Sequence, residues 1–268
     1  MFSLSLSCLL TCTSQMPLPP GSAMLVRYST LKSEDGKHTV QLVTFGFPMT
    51  AADDTLLMQV MNSDPYWDYF RRYPVYLKVE DKVFWSGPRL VARSPMAWLR
   101  KKNKLPKYGW TTSFALPGDV KLTGAEIKFS WNNDAKPKAQ PVKPFATAEL
   151  TADDLKTATV PFRATVKESG EQDDAKGRRE DRHYILFSLN HLPYHREIRV
   201  GDTKRWAYAR DIDYGPNAKR YRIQQQDELI LTFKEAPKGD GALRIQFLDV
   251  EGWYKPETVV EKPKEEKK

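Results

Sequence analysis

The chain has 268 residues, 40% hydrophobic and 28% charged, with a net charge of +8. This ordinary globular balance supplies a sizeable core, and no apolar run approaches the roughly 20 residues of a membrane helix, which excludes a helical membrane span. Both cysteines, Cys8 and Cys12, lie in the first twelve residues, so the body holds no disulfide, thiolate metal ligand or cysteine nucleophile.

The basicity is local. Arg71 to Lys107 carries eleven Lys or Arg against Glu80 and Asp81, so 37 residues hold more than the whole surplus and the remainder is close to neutral. A local positive field attracts phosphates, acidic lipids or acidic glycans.

In chain order, residues 1–23 open with the apolar "MFSLSLSCLLTC" and end in "GSA" at Ala23. An apolar stretch before small residues is the pattern of a cleaved export signal, although no Lys or Arg precedes Arg27. The other reading is an over-extended start, with the true beginning at Met16 or Met24. A cleaved signal implies secretion or the cell envelope; without it the chain reads as cytoplasmic.

"MLVRYSTL" and "HTVQLVTFGF" read as a hairpin around "KSEDGK". The period then changes in "TAADDTLLMQVMN", where Thr50 suits an N-cap and Asp53 the first turn. The next stretch, "SDPYWDYFRRYPVY", would continue helical from Pro65 until Pro74 ends it. A helical insertion is therefore expected near 50–73, its aromatics bracing a helix-to-strand corner. "VYLKV" alternates with Val75, Leu77 and Val79 inward, "EDK" turns and "VFW" returns. Further strands are expected at "WTTSFAL", "AEIKFSW", "TATVPFRATV", "HYILFSL", "REIRV", "YRIQQQDELILTF" and "ALRIQFLDV", separated by Gly, Pro and Asx clusters. "TADDLKT" reads as one short helical turn capped by Thr151.

These elements predict a mainly β chain: an antiparallel β-sandwich, or two sandwich-like domains. The two-domain reading divides the chain into 24–131, a linker or long loop at 132–144, and 145–254. Residues 255–268 read as a disordered charged tail.

The strongest constellation is Arg89 to Trp110. Arg89, Arg93, Arg100, Lys101, Lys102, Lys104 and Lys107 are interleaved with Trp98, Tyr108 and Trp110, and no acid interrupts them. Lys and Arg neutralise phosphates, and ring faces stack on bases. The same mixture suits a sulfated glycan or an anionic membrane surface. A secondary patch contains Arg199, Lys204, Arg205, Trp206 and Arg210, offset by Glu197, Asp202, Asp211 and Asp213. Salt bridges on strand surfaces are its plainer reading.

His191 and His195 are four apart, but Pro193 opposes a helix between them, and four residues on a strand span about 13 Å, too far for one ion. "DIDYGPN" fails the calcium-loop pattern at Gly215, Pro216 and Arg222. No nucleophile elbow or phosphate loop occurs. No metal or cofactor is expected.

The sequence is thus read as a non-enzymatic β-sandwich protein for binding or assembly, a component of a cell envelope or particle. It would engage an acidic partner (glycan, nucleic acid or anionic lipid) through 89–110, with self-assembly open to it. One alternative is a nucleic-acid-binding protein using 89–110 and 196–222. Another is a hydrolase whose loop-assembled site draws on His191, His195 and Asp211.

Overall fold

The computed structural model describes residues 21–48, 75–86, 94–95, 108–131, 144–171, 182–191, 193, 196–207 and 228–261. The chain is mainly β, as its alternation predicts. The expected helix near 50–73 lies outside the described residues, as does most of the expected linker.

Four four-stranded sheets form two face-to-face pairs. In the first sandwich, one sheet has the order β1-β2-β6-β5, built from Met24–Lys32, Thr39–Pro48, Tyr108–Pro117 and Ser94–Pro95. The facing sheet has the order β4-β3-β7-β8, from Lys82–Trp85, Val75–Val79, Ile127–Trp131 and Pro144–Ala148. In the second sandwich, β13-β10-β9-β16 comprises Glu228–Phe233, His183–Leu189, Arg163–Glu171 and Glu257–Val260. Its partner sheet, β12-β11-β14-β15, comprises Thr203–Ala207, Arg196–Val200, Leu243–Phe247 and Val250–Tyr254. Among the described strands every pairing is antiparallel except β16 on β9.

Period-two burial explains the strands. Val75, Leu77 and Val79 are buried as expected, and Leu243, Ile245 and Phe247 line the second core from β14. The first core gathers Val43, Phe45 and Phe47 from β2, Phe114 and Leu116 from β6, and Ile127 and Phe129 from β7. Phe45 and Phe47 meet Phe129 edge-on at 4.8 and 4.9 Å, a preferred aromatic geometry.

Strand β2 serves both cores. Val43, Phe45 and Phe47 enter the first, while Val40 and Leu42, on its other face, enter the second. A strand covered on both faces needs apolar residues on both, and "TVQLVTFGF" supplies Val40 and Leu42 to one and Val43, Phe45 and Phe47 to the other. Its polar exceptions are satisfied inside: the Gln41 amide donates to the carbonyls of Pro117, Gly118 and Val120.

The chain passes from the first core to the second between Leu150 and Phe162. The connection contains α1, Ala152–Ala158, at "TADDLKT". Thr151 and Asp154 form a reciprocal capping box, the expected Thr151 cap completed by an acid at the third helical position.

Three segments depart from the sequence expectation. Residues 144–148 form β8 on the first sandwich. "TATVPFRATV" is divided, its first residues ending α1 and its last opening β9. Within the expected disordered tail, Glu257–Val260 form β16. At the start of the fold, Ala23 is buried and its N–H donates to the Thr147 carbonyl at 2.8 Å.

Candidate functional surface

The strand ends of the first sandwich define a rim. Strand β2 finishes there with Pro48 opposite Gly109 at the start of β6. Strand β5 joins it, with Ser94 opposite Gly109 and Pro95 opposite Tyr108. On the facing sheet Val75 opens β3 opposite Trp131 at the end of β7, and Trp85 closes β4 opposite Tyr76. Phe47 brings the sheets together here, 4.9 Å from Phe129 and 5.4 Å from Phe145 in β8. Segments 49–74, 87–93, 96–107 and 132–143 all connect to this rim. The opposite end is closed by the connections at 33–38, 80–81 and 118–126.

Of the sequence-predicted site, Tyr108 and Trp110 stand on β6, paired with Pro95 and Phe47. Arg89, Arg93, Trp98, Arg100, Lys101, Lys102, Lys104 and Lys107 lie outside the described residues.

The secondary patch is partly described. Lys204, Arg199 and Arg244 form one cross-strand row over β12, β11 and β14. Like charges directly opposite repel, and neighbouring groups offset them. The Arg199 guanidinium lies 4.6 Å from the Trp253 ring centre and Lys204 Nζ 5.8 Å from it, a cation–π arrangement. Glu34, from the β1–β2 turn, accepts from Arg199 at 3.2 Å and from Arg244 at 2.5 Å. Asp240 accepts from Arg244 at 2.6 Å. The Arg244 hydrogen bonds, with the Ala242 N–H, hold the Asp240 carboxyl well below the usual carboxylate range. The acids that engage Arg199 and Arg244 are Glu34 and Asp240, which lie outside the acids the sequence reading set against the patch. Arg205 and Trp206 stand on β12, and Arg210 lies outside the described residues.

Where the β1–β2 turn meets β15, an open cleft of about 440 Å³ is lined by Lys37, His38, Thr39, Pro117, Gly118, Asp119, Asp249, Val250 and Glu251. His38 Nε2 stands 3.6 Å from Glu251. Burial raises the Asp249 carboxyl, while the hydrogen bond from Lys82 lowers that of Asp119. These side chains form a polar seam. Among the described residues no group of three or more His, Cys, Asp or Glu is placed to hold a metal ion.

His191 is fully buried between the sandwiches. Its Nε2 is 2.9 Å from Ser29 Oγ and its Nδ1 3.0 Å from Thr44 Oγ1, which is 2.7 Å from Ser113 Oγ. Ser29 donates its own hydrogen to the Val160 carbonyl at 2.6 Å. Both ring nitrogens therefore meet hydroxyls. The role drawn for His191 in the hydrolase reading meets this burial; His195 and Asp211 lie outside the described residues. Sequence reasoning picked out His191 but not Ser29, Thr44 or Ser113, which are ordinary strand residues until the fold brings them together.

No protein-family model matches the chain, and no curated protein shows significant similarity to it. Among the described residues no helix is long and apolar enough to cross a membrane.

Proposed function

We propose that this chain is a non-enzymatic β-sandwich binding or assembly protein, a component of a cell envelope or particle, that engages an acidic partner through its basic-aromatic segment 89–110. The observation that carries this reading is the β5–β6 pairing. Setting Pro95 opposite Tyr108 brings together the two chain positions that flank residues 96–107, at the rim of the first sandwich. Those twelve residues hold Arg100, Lys101, Lys102, Lys104 and Lys107 and no acid. Segments 49–74, 87–93 and 132–143 connect to the same rim, and the four together carry twelve Lys or Arg against Asp53, Asp54, Asp64, Asp68 and Asp134. A net excess of positive charge on the connections at one end of a scaffold gives a directional field for a polyanion. The secondary patch supports a supplementary role less well, because Glu34 and Asp240 already engage Arg199 and Arg244.

The test is binding to heparin, a single-stranded oligonucleotide and anionic vesicles as a function of salt. The expected result is retention that weakens steeply with ionic strength, with Lys101→Ala, Lys102→Ala and Lys104→Ala together flattening the dependence. For the oligonucleotide the log–log slope is about −0.7 per phosphate neutralised. Failure to bind all three probes at low salt overturns the reading.

A further inference from the structure

Strand β16 differs from the other strands in what holds it. Glu257, Thr258, Val259 and Val260 are all exposed, Val260 at 68% and Val259 at 39%. No other strand whose side chains are described is exposed along its whole length. The hydrophobic effect therefore does little to keep β16 in place. It lies parallel to β9, in register from Glu257–Arg163 to Val260–Val166. The pairing is bounded by the Glu257 N–H to the Phe162 carbonyl at 2.9 Å and the Glu261 N–H to the Val166 carbonyl at 3.1 Å. Two ion pairs flank it, Arg163–Glu257 at 2.8 Å and Lys167–Glu261. Surface pairs of this kind contribute little to stability.

The attachment upstream is firm. Tyr254, at the end of β15, is fully buried, and Pro256 is buried too. Only Lys255 and Pro256 separate the two strands. A weakly held strand thus follows a fixed, stiff hinge, and such an element opens locally at low cost. The edge of β9 would then present Arg163 and Lys167, four residues apart, beside unpaired backbone groups. The segment matching that edge in charge spacing and backbone register is Glu257–Glu261, with two acids four apart around Thr-Val-Val.

We propose that β16 is an exchangeable strand: it leaves its own sheet, and the same segment of a second copy of the chain pairs with β9 in its place, giving a reciprocal two-fold dimer. Exchange rebuilds every contact of the closed form, so association needs no new surface. This inference does not depend on the 89–110 reading.

The test uses chains in which Cys8 and Cys12 are replaced by Ser. One carries Val166→Cys, another Val260→Cys, and a control carries both. The two single-cysteine chains are co-refolded from urea at high protein concentration and oxidised. The expected result is a disulfide-linked heterodimer whose yield rises with protein concentration. The idea is overturned if the control closes its disulfide within one chain while the mixture gives no heterodimer. It is equally overturned by a control that forms no disulfide, or by crosslinked dimers that join only position 166 to 166 or 260 to 260 and never 166 to 260. Polyanion binding by the same chains is a separate readout, so loss of one property is distinguishable from loss of the other.

Discussion

His191 donates from Nε2–H to Ser29 Oγ, 162 residues earlier in the chain, across the seam between the sandwiches. The direction follows from Ser29, whose single hydrogen is committed to the Val160 carbonyl. In the neutral ring Nδ1 then accepts from Thr44, and Thr44 accepts from Ser113, so the chain of hydroxyls has one consistent polarity. His191→Ala removes the centre of this chain and leaves buried hydroxyls around a cavity. The expected loss in urea unfolding free energy is about 3 kcal/mol, with about 1 kcal/mol for Ser29→Ala. A double-mutant cycle should give a coupling of about 1 kcal/mol, and additive effects would show the bond to be energetically idle.

Glu34 ties the β1–β2 turn of the first sandwich to Arg199 and Arg244 of the second, and its N–H donates to the Trp253 carbonyl at 2.8 Å. Glu34→Gln should lower stability by no more than about 1 kcal/mol, and the loss should shrink in 1 M salt, where the Debye length is about 3 Å. Chemical denaturation in low and high salt measures both.

Asp240 extends that clasp to acid pH. Its folded carboxyl titrates below the unfolded value of 3.8 because Arg244 stabilises the carboxylate. Its contribution is therefore complete above about pH 4 and is lost as pH falls through the lower folded value. Denaturation midpoints measured from pH 6 to pH 2 should fall less steeply in Asp240→Asn than in the parent protein.

At the alkaline end Tyr254 acts in the opposite sense. Its hydroxyl donates to the Glu251 carbonyl at 2.5 Å, and burial first, then the charges of Asp35 and Glu251, push its pKa up to about 12. The unfolded chain releases this proton near pH 10, so stability should fall as pH rises from 10 towards 12. Tyr254→Phe should remove that part of the slope. Absorbance at 295 nm in the folded protein should show one tyrosine titrating late.

Gly252 lies at φ 100°, and a Cβ there would sit 2.6 Å from Ser33 Cβ. Gly252→Ala combines backbone strain with a clash at the docked turn, and a destabilisation of about 2 kcal/mol is expected. Thermal unfolding checks it, with Gly36→Ala as a comparison. Gly36 has φ 71° but open space around it, so only the backbone part should appear there.

Much of this architecture is legible in the sequence where one face is buried and the other wet. "HYILFSL" and "REIRV" became strands with the expected bounds, and Thr151 caps the short helix. The pattern failed where burial did not write it. β8 is "PFATA", short and small beside a Pro- and Lys-rich stretch, and β16 has no buried residue to mark it. The secondary patch was visible as cations, but its partner Glu34 lies 165 residues from Arg199 and 210 from Arg244, beyond any local rule.

Because β2 is shared, neither sandwich is a self-sufficient module. A fragment ending at Leu150 would expose Val40 and Leu42, each worth roughly 1.5–3 kcal/mol when fully buried, to water. Dissecting this protein into halves should therefore yield sticky, poorly behaved pieces, and a gain or loss of function could be assigned only in the intact chain.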